Sequence, residues 1–367
     1  MVNVRSILRI APSTNRPRIY TLDYIRGILI LLVLYHHSNG PLGNYVLQFH
    51  MPALFLLSGY TEYLLNKEPP FTEYVKSKFI RLIVPYFAFE ALNLLLYILL
   101  QLITGNLSLS LADAFVSIIT CVNNSYLGLY GRLWFLPAIF VSSIISYVIR
   151  VFLAKNKPIY ILVYCLPLVA LSYITCTFLH FRLPFTIDTA FLGSTFLLIG
   201  FALGRSIEWW LASKNRLCDL FLFTLFSLIF VLCNRYSNPV CYMYINAYSD
   251  FPFMIACAIS GSFIVFILSK MLFPLLESLS FLRNIITWYS INSLATFPIH
   301  LTIKIFFIPI LSYVGTNTWY CLFACMFILN IPIVNIISDY FPFMIGKIKN
   351  RRLIALEKIN IHYNDDE

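Results

Sequence analysis

The sequence predicts an all-α, polytopic transmembrane bundle of about ten helices with both termini in the cytosol. Three observations lead there. The composition is 60% hydrophobic and 17% aromatic but only 11% charged, and the mean hydropathy is +0.80, far more apolar than an ordinary soluble domain. The chain also divides, at charged or Gly/Pro-containing stretches, into apolar runs of about 20 residues, the length that crosses a hydrocarbon core. Finally, with the termini inside, 22 of the 26 Lys and Arg fall on cytosolic segments, as the positive-inside rule requires.

The predicted spans are 22–38, 46–65, 82–103, 133–149, 159–178, 188–204, 217–233, 251–269, 286–311 and 319–340. Each is mostly apolar and long enough to cross, and an even number returns the chain to its starting side. Around them the organisation is simple: a basic cytosolic segment at 1–20, a membrane domain at 21–342 and a basic tail at 343–367. The tail, "GKIKNRRLIALEKINIHYNDDE", reads as a surface helix with an acidic end. The first span is expected to stay in the mature protein, because "MVNVRSILRIAPSTNRPRIY" lacks an apolar core with a small-residue cleavage site. The longest outer connection, 104–132, is polar, and no second globular domain is expected.

The net charge of +10 does not point to nucleic acid. The basic residues sit at span ends rather than in one stripe, where they set topology and attract anionic lipid. The nine cysteines fall singly, apart from Cys321 and Cys325 one turn apart. They suggest buried filler and no metal site.

Ionisable residues inside the spans carry the functional signal, because each costs about 2.5–3.5 kcal/mol when exposed to hydrocarbon. In "RGILILLVLYHHS" the eleven steps from Arg26 to His37 total about 1100°, within about 20° of three whole turns, whereas His36 is about 80° off. Arg26 and His37 therefore share a face, roughly 16 Å apart, with Arg26 toward the cytosol and His37 toward the outer side. Further polar residues gather toward the outer half: His50 in "LQFHMPALFLLSGY", Arg132 and Trp134 in "LGLYGRLWFLPAIF", His180, Arg182 and Asp188 in "HFRLPFTIDTAFLG", and Asn292, His300 and Lys304 in the ninth span. Asp23 and Glu62, nearer the cytosol, are potential partners for Arg26 and the nearby positive charges, and the "SG" of the second span permits close helix approach.

Seven fragments occur in a fixed order: "YTLDYIRGILILLVLYHHS", "LQFHMPALFLLSGY", "KFIRLIVPYF", "WFLPAIF", "LPFTIDTAFLGSTFLLIGFALG", "NPVCYMYINAYSDFPFMIACAISGSFIVFILSK" and "YSINSLATFPIH". Together they resemble the membrane-bound acyltransferase family 3, above all its fucose 4-O-acetylase-like branch, over about 20–340. The resemblance implies a ten-helix, multi-pass enzyme of the bacterial inner membrane. Such an enzyme moves acetyl from cytosolic acetyl-CoA to a hydroxyl of a surface polysaccharide or its lipid-linked precursor. Its partners would be membrane lipid, that saccharide and polysaccharide-synthesis proteins, with no metal. The family's basic-residue and histidine pattern on the first helix falls on Arg26 and His37. His36 stands where the branch often has Gly, "ALFLLSG" replaces a more aromatic run, and Pro298 precedes His300.

On that resemblance the catalytic set is His37, His50, Asp188 and His300; the donor-binding set is Arg26 and Arg81; and the acceptor-binding set is Arg132, Trp134, Arg182 and Asn292. An imidazole can take and return a proton at neutral pH, which suits His37 as general base, with a transient acetyl-histidine as the other route. Arg26 suits the anionic groups of CoA. Asp188 or Asn292 would orient a histidine, and Arg132 or Arg182 would hold saccharide or lipid phosphate. Two rival readings remain. One is a transporter or flippase of lipid-linked glycan, although residues 1–180 and 181–367 show no repeat. The other is transfer of another acyl group, such as succinyl, or transfer to an amine.

Overall fold

The computed structural model describes residues 20–104, 111–122, 133–316 and 318–346. Arg132, nearly all of the basic N-terminal segment and the C-terminal tail lie outside the described residues. The chain is an all-α helical bundle. Helix α1 (Tyr20–His37) is followed by a short α2 (Gly43–Leu47) and by α3 (His50–Leu65). Helix α4 (Phe71–Lys78) runs through a π-helical turn, Phe79–Ile83, into α5 (Val84–Thr104). Then come α6 (Leu111–Thr120), α7 (Phe135–Tyr147), α8 (Pro158–Phe178), α9 (Ile187–Ala202), α10 (Gly204–Ala212) and α11 (Arg216–Tyr236). A hairpin of β1 (Val240–Tyr242) and β2 (Ala247–Ser249) leads to α12 (Phe251–Met271). The chain closes with α13 (Phe273–Ser278), α14 (Ser280–Ile291), α15 (Ser293–Tyr313) and α16 (Trp319–Tyr340).

Among the described residues, eight helices are long and apolar enough to cross a membrane, against the ten spans read from the sequence. The two outside that set, α1 and α3, carry the polar residues of interest: Asp23, Arg26, His36 and His37 on α1, and His50, Thr61 and Glu62 on α3. They are central helices. Tyr24, Ile25 and Leu29 of α1 and Ala53, Phe55 and Leu56 of α3 are wholly enclosed. Because other helices rather than lipid surround them, they do not need the uniformly apolar surface that lipid demands. The opposite extreme is α11, in which Asp219 is the one buried residue and whose exposed Leu217, Phe221, Leu228 and Val231 suit an acyl-chain environment.

Close helix contact depends on small residues, since apolar association between helices in lipid is weak. A Cβ at Gly59 would lie 1.8 Å from the Leu197 carbonyl oxygen, and one at Gly200 would lie 2.0 Å from that of Leu56. The "SG" of the second span thus seats α3 against α9. Hydroxyls within the helices return to carbonyls one turn back, Ser58 to Leu54 and Thr61 to Leu57 at 2.7 Å each. This satisfies them without water.

Two local features depart from the sequence reading. The ninth span is broken at Asn292, which separates α14 from α15. The connection after α11 folds as a hairpin with Cys241 opposite Tyr248. Its chain reversal uses Asn246 at φ 53°, a left-handed conformation that Asn tolerates.

Candidate active site

Two cavities lie along α1. The first, about 400 Å³, is lined by His36, His37, His50, Trp134, Tyr242, Tyr244 and Lys304, among others. The second, about 250 Å³, is lined by Arg26, Ser58, Thr61, Glu62, Lys78 and Arg81, among others. Arg26 and His37 thus occupy different chambers at opposite ends of one helix, as their spacing requires. Helices α3 and α15 also contribute to both, α15 through Ser293 and Leu294 at one end and Leu301 and Lys304 at the other.

In the histidine cavity the rings are held by backbone. His50 Nδ1 lies 2.8 Å from the Val46 carbonyl oxygen, His36 Nδ1 lies 2.9 Å from that of Gly43, and His300 Nδ1 lies 3.2 Å from that of Thr296. A carbonyl can only accept, so each Nδ1 carries a hydrogen and each Nε2 keeps its lone pair. His37 has no hydrogen bond among the described residues. Its ring stands between His36, at 5.0 Å between centroids, and His300, at 4.9 Å. His36 in turn is 5.4 Å from His50. Four imidazoles therefore form a row, with the half-buried His37 facing the cavity and the fully enclosed His300 behind it. His300 Nε2 is buried without a partner among the described residues.

The helix-face reading placed His36 away from His37, but both rings line the cavity. Adjacent residues are offset by about 100° around a helix, and at the end of α1 the cavity mouth is wide enough to span both positions. Trp134, 9% exposed, forms another wall of the same cavity.

Arg182 and Asp188 pair with each other. Arg182 Nε donates to Asp188 Oδ2 at 2.5 Å and Nη2 to Oδ1 at 3.1 Å. The guanidinium also donates to the Tyr244 carbonyl at 2.7 Å and to Thr189 Oγ1 at 3.1 Å. Thr189 Oγ1 donates in turn to the Met243 carbonyl at 2.7 Å. This buried fork ties the start of α9 to the β-hairpin, and the hairpin supplies Cys241, Tyr242, Met243 and Tyr244 to the cavity wall. Asp188 touches no histidine ring in these contacts; it shapes the chamber through Arg182. Asn292 sits at the break before α15, where its side chain donates to the Trp288 carbonyl at 3.0 Å; its neighbours Ser293 and Leu294 line the arginine cavity. His180 is exposed.

The arginine cavity holds its charges more loosely. Arg26 Nη2 reaches Thr61 Oγ1 at 3.5 Å. Of the two carboxylates anticipated for this end, Asp23 lies close enough for its charge to act on Arg26 and accepts from Ser290 at 2.9 Å, while Glu62 pairs with a neighbouring cation, accepting from Lys78 at 2.7 Å and from Tyr74 at 2.6 Å. Arg81 stands on the π-helical turn, a feature that often marks functional sites because it swings a side chain off the regular helical face.

Among the described residues, Cys241 is the one cysteine on the wall of the histidine cavity. Burial pushes its thiol up to about 12, so at neutral pH it is protonated and a poor nucleophile. Among the described residues no group of three His, Cys, Asp or Glu side chains is placed to hold a metal ion.

The hairpin and its anchoring ion pair escaped the sequence reading. The signal available for the hairpin was the Asn246 turn between two short runs rich in aromatic residues.

A sequence profile described as an acyltransferase domain matches residues 19–339. The chain belongs to acyltransferase family 3. The matched region of this acyltransferase contains all sixteen helices but for Tyr340, the last residue of α16, and with them both cavities. No curated protein and no solved structure matches it. The acyltransferase is accordingly a multi-pass membrane enzyme.

Proposed function

We propose that this acyltransferase moves an acetyl group from cytosolic acetyl-CoA, entering at the arginine cavity, to a sugar hydroxyl held in the histidine cavity. One observation carries the reading. A single helix of a family acyltransferase presents an arginine to one chamber and a histidine, without a hydrogen bond among the described residues, to the other.

Arg26 and Arg81 supply the positive charge that CoA phosphates need, and guanidinium binds phosphate through two parallel donors. The chamber is too small for the whole nucleotide, so it suits the pantetheine arm with the nucleotide at its mouth. Across the partition the acceptor hydroxyl meets His37. The imidazole takes the hydroxyl proton as the oxygen attacks the thioester carbonyl; the carbon–oxygen bond forms, the carbon–sulfur bond breaks, and the proton passes to the departing thiolate. His36 and His300 confine the His37 ring, and Lys304 lies near enough to the cavity to favour negative charge developing on the carbonyl oxygen. Trp134, Tyr242 and Tyr244 give flat faces suited to a sugar ring.

The family relationship, the 22-to-4 division of Lys and Arg and the mixed polar and aromatic wall support a bacterial inner-membrane enzyme acting on an envelope saccharide. The test is transfer of isotope from labelled acetyl-CoA to glycan in membranes containing the wild type or His37→Ala. Label on glycan with the wild type only supports the reading. Movement of unmodified glycan across the bilayer, with no label acquired, would replace it with that of a flippase.

A further inference from the structure

Phe297 is common to both chambers. It lines the histidine cavity and the arginine cavity while remaining only 5% exposed. On α15 the cavity-lining residues step along one face from Ser293 through Phe297 and Leu301 to Lys304, spacings of four, four and three that repeat with the helical turn. Phe297 is the midpoint of that stripe. Its ring packs on Phe135 with centroids 4.9 Å apart, and Phe135 packs on Phe55 at 5.3 Å. On the other side it meets His300 at 5.8 Å.

We infer that the Phe297 ring, braced by Phe135, is the partition between donor and acceptor chambers, and that its size limits the acyl group that can pass. The inference rests on the acyl-transfer reading for its second half only. The physical argument has three parts. A thioester arm entering beside Arg26 and a hydroxyl beside His37 meet only across the plane of this ring. The wall there is one side chain thick, since the same ring borders both spaces. Pro298, the next residue, lies inside α15 and has no N–H to donate to the preceding turn. The helix is therefore one hydrogen bond short where the ring must swing aside. An acetyl group has a single methyl to bring past it, whereas each further methylene meets the Phe297–Phe135 stack.

Two measurements on the full-length protein decide the matter. In the first, Ser58→Cys places a thiol on the arginine cavity, and a small charged thiosulfonate reagent is applied to one face or the other of sealed vesicles. Mass spectrometry then reads the modification on the peptide that carries the substituted position. With Phe297 present, label enters from one face only. With Phe297→Ala or the milder Phe297→Leu it enters from both, and continued one-sided labelling in both variants would overturn the partition. In the second, purified protein is given acetyl-, butanoyl- or hexanoyl-CoA. Phe297→Ala raises the hexanoyl-to-acetyl rate ratio by about tenfold or more, and Phe297→Trp lowers acetyl transfer by about tenfold or more with CoA affinity held. An unchanged ratio in Phe297→Ala would overturn the size limit. Should the wild type transfer no acyl group at all, the functional reading falls while the labelling still decides the partition.

Discussion

The two chambers share helices α1, α3 and α15, yet they treat their polar groups in opposite ways. In the histidine cavity three rings are fastened to backbone carbonyl oxygens, and an ion-paired hairpin fixes one wall. In the arginine cavity the cations sit on long side chains, with Arg26 Nη2 3.5 Å from Thr61 Oγ1 and within reach of the Asp23 charge, and Arg81 exposed. The difference matches what each must do. A proton transfer is sensitive to sub-ångström placement, so the rings beside His37 are held in advance and confine it by packing, while its own nitrogens stay open to substrate. Phosphates arriving from water are captured by mobile charges that lose hydration only on contact. Rigidity and looseness along a single helix thus divide chemistry from capture.

The largest effect that would break this division belongs to His37. His37→Ala is expected to lower turnover by about 10²–10⁴-fold while leaving acetyl-CoA affinity unchanged, because a base acts chiefly in the transition state. Steady-state kinetics beside direct titration of the purified variant measure both quantities, and a parallel loss of donor affinity would erase the distinction between the chambers. Next is Asp188→Ala. Removing the buried carboxylate leaves a largely enclosed Arg182, 17% exposed, without its counter-charge, which costs somewhat less than the roughly 3–5 kcal/mol of a fully buried pair, and loosens the hairpin, which Thr189 still holds through Met243. Thermal unfolding in detergent should show a clear fall in stability, and Asp188→Ala with Arg182→Met should recover much of it.

A smaller effect is expected at Arg26. Losing one charge-assisted hydrogen bond costs about 1.5–3 kcal/mol, so Arg26→Ala should weaken acetyl-CoA binding by roughly 10- to 150-fold with turnover at saturation little changed. Arg26→Lys keeps the charge but loses the fork, and falls between. The smallest effect concerns Cys241. With its thiol pushed up to about 12 and only 2% exposed, it should resist iodoacetamide at pH 8 in the folded protein and react once denatured. Burial favours the neutral thiol, so the folded state loses stability only as pH rises past the unfolded thiol value of about 8.5. Rapid labelling of native Cys241 would show the hairpin to be open, not clamped.

Much of this architecture could be read from the residues. Runs such as "FPFMIACAISGSFIVFILSK" announce a helix by length and apolarity alone, and the eleven-residue step from Arg26 to His37 carries its geometry in the helical repeat. Other features could not be read that way. Hydropathy records how a segment meets solvent averaged over its length, so it registered α1 and α3 as spans like the others and missed that both are enclosed. The pairing of Arg182 with Asp188 crosses a loop whose path no periodicity describes. That same pairing gives two residues, read as substrate-binding and catalytic, a structural tie to the chamber wall. Phe297 was invisible for another reason: in a chain with 33 phenylalanines, only position relative to two cavities distinguishes one ring from the rest.

The central location of α1 has a consequence for how the protein is made. It is the first of the described helices to leave the ribosome, yet Tyr24 donates to Glu277, 253 residues later, and Asp23 accepts from Ser290, 267 residues later. At synthesis rates of about 5–20 residues per second, those partners emerge some tens of seconds after it. For that interval a helix carrying Arg26, His36 and His37 lacks the partners that enclose it, and an arginine in hydrocarbon costs up to about 2.5–3.5 kcal/mol at the helix centre. Biogenesis therefore depends on a protected waiting place at the insertion machinery, and α1 is the segment whose retention there sets when the bundle can close.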